Sequence, residues 1–103
     1  MLNLTKAQKL AVEKLIAAID STTEGLFGKP VLKSGDGWNT PTICWDGPFE
    51  WTMITAGSSI YCGESGNYSS PTEPKIADAL KRVARSGLFL EPISSGQIGC
   101  YTA

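Results

Sequence analysis

Histidine is absent from this chain of 103 residues. That removes the side chain that most readily moves protons near neutral pH and the commonest zinc ligand. Ser-His-Asp and Cys-His nucleophilic catalysis are therefore excluded. An excess of charge of either sign is also missing. Nine basic and ten acidic residues leave a formal net charge of −1, which creates no overall field for a polyanion or an anionic membrane. Nucleic acid is not the expected partner. No window comes near the roughly 20 consecutive apolar residues of a spanning helix. The opening Met1-Leu2-Asn3-Leu4-Thr5-Lys6 lacks a charged segment followed by an unbroken apolar run and a cleavage site. The expected location is the cytoplasm, with no membrane role. Zinc-type cysteine spacing, an EF-hand loop and a Walker loop are lacking. Gly63-Glu64-Ser65-Gly66 is one residue short of a GxSxG elbow. Neither a metal nor a cofactor is expected.

Cysteine is scarce, with Cys44, Cys62 and Cys100 far apart in strand-like segments. Buried thiols in a reducing compartment explain them, and a reactive or intermolecular thiol is the alternative. What the chain does have is 42% apolar residues, 18% charged residues and three tryptophans. This is ordinary for a globular protein of a size that supports one core, so residues 1–103 are read as a single domain.

Two helices are predicted. Thr5-Lys6-Ala7-Gln8 is a capping box, in which a side chain at each end satisfies an orphan amide at the other, and it opens a helix over about residues 6–20. Val12, Leu15, Ile16 and Ile19 recur at helical spacing, with Ala11 and Ala18 beside them. A second helix begins near Thr72, with Pro74 tolerated in its first turn. Ile76, Ala77, Leu80, Val83 and Ala84 are its expected buried stripe, and Gly87 is suited to its left-handed end. Lys81, Arg82 and Arg85 in the last turns complement the helix dipole.

Strands are expected at 31–33, 42–45, 49–55, 58–62, 88–91 and 97–102. The order helix, strands, helix, two strands implies an α+β fold: an antiparallel meander sheet with both helices packed on one face. A three-residue turn at Asp46-Gly47-Pro48 sets Ile43, Trp45, Phe49, Trp51 and Met53 on one face. A two-residue turn at Ala56-Gly57 adds Ile60 and Cys62. The opposite face then carries Cys44, Glu50, Thr52, Ile54 and Tyr61. Tyr101 joins it if Ile98 and Cys100 point inward.

That open face is the expected binding surface, around Glu50, Thr52 and Tyr61. The loop bearing Glu64, Asn67 and Tyr68 extends it, because Gly, Ser, Asn and Tyr make adaptable contacts. For a nucleotide-like anion, Lys75 at the second helix start and Arg82 on the same flank would supply charge. For a protein partner, Tyr61 and Tyr68 would be the anchors.

The run Trp45-Asp46-Gly47-Pro48-Phe49-Glu50-Trp51 resembles a W-[DE]-G-P-[FY]-E-W signature of small phage- and prophage-encoded proteins of uncharacterised function. Leu90-Glu91-Pro92-Ile93 and Gly99-Cys100-Tyr101 are similar to the end of such sequences. The resemblance covers about a fifth of the chain and brings no active residues. It implies a viral or mobile-element protein working in host cytoplasm. Joined to the missing catalytic chemistry, it leads to an expected non-enzymatic binding protein. Its role would be an inhibitor of a host defence factor, by surface occlusion or by sequestering a small ligand. The alternatives are an immunity-type or scaffolding protein in a stable complex, or a minimal enzyme using Glu50 or Cys62.

Overall fold

The computed structural model describes residues 3–35, 37–47 and 74–102. The elements run in the order α1 (Lys6–Thr23), β1 (Val31–Lys33), β2 (Thr42–Cys44), α2 (Pro74–Arg85), β3 (Leu88–Ser94) and β4 (Gln97–Thr102). This is an α+β fold with an antiparallel sheet and both helices sharing one core with it. The strands expected at 49–55 and 58–62, and with them the placement of Phe49, Trp51, Met53, Ile54, Ile60 and Cys62, lie outside the described residues.

Helix α1 starts as its capping box dictates. The Gln8 amide donates to Thr5 Oγ1 at 3.1 Å, and the Thr5 amide donates to Gln8 Oε1 at 2.9 Å. Its end lies three residues beyond the expected Asp20, because two local interactions extend it. Thr23 Oγ1 donates to the Ile19 carbonyl at 2.8 Å, and Glu24 takes the left-handed conformation (φ 52°) as the cap. Helix α2 ends at Gly87, whose φ of +88° suits a residue without a Cβ.

The two helices run antiparallel. Gln8 near the start of α1 donates through Nε2 to the Ser86 carbonyl past the end of α2 at 3.1 Å. At the other end, Lys75 Nζ donates to Ser21 Oγ at 3.0 Å. On α1 the buried residues include Ala11, Val12, Leu15, Ile16, Ala18 and Ile19, as the periodicity requires. The buried stripe of α2 differs from the expected one: Ile76, Ala79 and Val83 are buried, Ala77 and Leu80 are half-buried, and Ala84 is exposed. Close approach of α1 turns the small Ala79 inward, and Ala84, five residues on, falls on the far side of the helix.

Among the described strands the sheet order is β1-β2-β4-β3, so β4 is flanked on both sides. Ile43 pairs with Ile98, and Leu90 with Cys100. Ile43, Ile98, Cys100 and Leu88 form the sheet's contribution to the core beneath the helices. As expected, Tyr101 falls on the opposite face, where its ring stacks on Phe89 with centroids 5.5 Å apart. Between Pro92 and Ser94 the β3–β4 ladder shifts register and Ile93 becomes an extra residue. Trp45 packs against the core cluster from just beyond β2.

Candidate functional site

Of the eight residues expected to form the binding surface, Glu50, Thr52, Tyr61, Glu64, Asn67 and Tyr68 lie outside the described residues. Lys75 and Arg82 are described, and the structure brings them together. Both line one groove between α1 and α2, open to solvent on the side of the helix pair that faces away from the core. Their setting is the helix layer, with Arg82 on the same flank of α2 as Lys75, as expected; the sheet face and loop expected beside them lie outside the described residues.

Helical geometry builds this groove. Lys75, Asp78 and Arg82 are three and four positions apart and share one face of α2. Lys14, Ala18 and Ser21 do the same on α1, and the antiparallel packing sets the two rows opposite each other. Together these walls enclose about 370 Å³. Towards the start of α1 the groove continues into a hollow of about 280 Å³, also bounded by Lys14 and Arg82, and reaching Leu10 and Arg85.

Four of the chain's nine basic residues, Lys14, Lys75, Arg82 and Arg85, therefore line one continuous surface, against one carboxylate, Asp78, among the described residues. Lys75 is held by its hydrogen bond to Ser21, and no ion pair among the described residues involves Lys14, Arg82 or Arg85. Between the cations the surface is small and apolar, with Ala7, Ala11, Ala17, Ala18 and Ala79, and it ends on Leu10, which is 53% exposed. The dipole explains Arg82 and Arg85 at the end of α2. It does not explain Lys14, in the middle of α1, or Lys75, at the start of α2, where a cation opposes the dipole.

A second concavity of about 530 Å³ lies between α1 and β1, lined among others by Lys9, Glu13, Ile16, Lys29 and Leu32. The sequence reading missed it. Its walls come from segments separated by a turn, with no motif to announce them.

Neither described cysteine is activated as a nucleophile, and Cys62 lies outside the described residues. Burial pushes the Cys100 thiol up to about 11. Cys44 is also raised, chiefly by burial, with Lys33 pulling the other way. Among the described residues no cluster of three potential metal ligands occurs, and no helix is long and apolar enough to cross a membrane. Trp45 Nε1 is buried without a hydrogen-bond partner among the described residues.

The molecule is thus an α+β protein presenting a cationic interhelical groove. Compared with known proteins, the chain matches no family, no curated protein and no solved structure.

Proposed function

We propose that this protein is a non-enzymatic binding protein that acts by occluding the surface of an anionic partner, which it engages through the α1/α2 groove. The observation that carries this reading is the gathering of Lys14, Lys75, Arg82 and Arg85 on one surface of a chain whose net charge is −1. Electrostatic complementarity of this kind speeds and orients association. The missing histidine and the raised thiols of Cys44 and Cys100 support a role without covalent chemistry. The likeness at residues 45–51 extends the proposal to a phage- or mobile-element-encoded antagonist of a host defence factor.

A second reading, sequestration of a small ligand, is favoured by the α1–β1 concavity. Its volume of about 530 Å³ falls within the usual range for ligand sites.

Affinity capture from bacterial lysate, comparing the native chain with the Lys14→Glu/Arg82→Glu variant, tests the proposal. The expected result is a protein recovered by the native chain and lost by the variant at unchanged melting temperature. Equal recovery by both would remove the groove from the function. Native mass spectrometry of the purified chain tests the second reading through co-purified small molecules.

A further inference from the structure

The shape of the groove says what kind of anion it takes. Along most of its length the walls are helix flanks, whose backbone amides are spent inside the helices. First-turn amides occur only at its two ends, near Ala7 of α1 and Lys75 of α2, so its middle offers no nest of free N–H groups for a phosphate. Among the described residues no aromatic side chain lines either part of it, and its floor is built of alanines. Cations are instead spaced along its length. On α2, Lys75, Arg82 and Arg85 spread over ten residues, on the order of 15 Å at a rise of 1.5 Å per residue. A compact anion would meet only one or two of them.

From these features we infer that the occupant is an acidic amphipathic α-helix of a protein partner, lying along the α1/α2 groove as a third helix of the layer. This rests on the proposal that the groove is the binding surface and specifies its ligand. The alanines let a third backbone approach closely, and Leu10 offers an apolar contact at one end. An incoming helix with apolar residues at helical spacing seats them on that floor. Glu or Asp residues flanking its stripe then meet Lys14 on one wall and Arg82 and Arg85 on the other. Asp78 near the Lys75 end disfavours a carboxylate there, which sets a preferred direction for the partner.

The test is a display selection on the immobilised full chain with two peptide pools of about 18 residues, long enough to span α1. One pool carries Leu, Met and Ala at helical period with Glu and Asp between them. The other has the same composition shuffled. The expected result is enrichment of the helical pool alone. Recovered peptides should gain helical circular dichroism on binding and lose roughly tenfold or more in affinity to the Lys14→Glu/Arg82→Glu variant. Affinity should also weaken as salt rises. Equal enrichment of both pools, or displacement of the peptides by millimolar ATP or inorganic triphosphate, would overturn the helix and leave a simple anion site. Enrichment of neither pool would overturn it as well. In each of those cases the lysate capture still decides whether the groove binds a natural partner, so the two proposals fail separately.

Discussion

At the scale of single residues, the buried thiol of Cys100 writes a pH dependence into the fold. Its pKa rises from 9.0 to about 11, so the folded chain holds this proton more tightly than the unfolded chain does. The resulting stabilisation is complete below pH 9 and is lost as pH rises through 11. Thermal melts should therefore fall across that window by the equivalent of about 2–3 kcal/mol. The Cys100→Ala variant should melt lower at neutral pH but with a flatter alkaline slope. An unchanged slope would assign the effect to another group. Cys44, raised in the same direction, leaves a smaller residual slope. Glycine gives a second contrast. Gly96 and Gly37 both have positive φ, +74° and +87°. A Cβ at Gly37 meets nothing, whereas one at Gly96 runs into the Trp45 carbonyl. Gly37→Ala should cost only the left-handed strain of roughly 1–2 kcal/mol, and Gly96→Ala about 2 kcal/mol more, since β2 must shift to admit it. Equal costs in urea unfolding would mean that the turn yields without disturbing Trp45.

At the scale of elements, Gln8 is worth more than a cap. It closes the capping box and also holds the Ser86 carbonyl beyond the end of α2. Gln8→Ala should cost roughly 1–3 kcal/mol, because it strands a part-buried carbonyl, whereas Thr5→Ala should cost about 1 kcal/mol. Chemical denaturation of both variants checks the order, and a larger loss for Thr5→Ala would contradict it. The start of α1, the left-handed end of α2 and the bounds of β1 and β4 were legible because each depends on residues next to one another in the chain. Less legible was the end of α1, where a threonine stays helical by bonding back to Ile19. Spacing alone admitted both Ala79 and Ala84 to the inner face of α2, and packing against α1 chose Ala79. The groove was half legible. Lys75 and Arg82 follow from helical spacing, but Lys14 and Ser21 join them only through the antiparallel contact of α1 with α2, which no local pattern encodes.

At the scale of the whole molecule, near-neutral net charge conceals an uneven distribution, and it is the distribution that a partner meets. The sheet is equally uneven in how its strands are connected. Strands β3 and β4 form a hairpin closed by a two-residue turn, Ser95-Gly96. Strand β2 reaches the same sheet from the other half of the chain. Thr40, just before it, donates its hydroxyl to the Cys100 carbonyl 60 residues away, and Trp45, just after it, donates its amide to Gly96 at 3.0 Å. Closing a loop of that length costs chain entropy before any contact repays it. The hairpin, with α2 beside it, should therefore form early, and β2 should dock late with its Trp45 carbonyl against the glycine turn. In stopped-flow refolding, Leu90→Ala should slow folding, whereas Ile43→Val should mainly speed unfolding. A slower refolding limb for Ile43→Val would mean that β2 is already in place at the transition state, and that the two halves of the chain find each other before the hairpin closes.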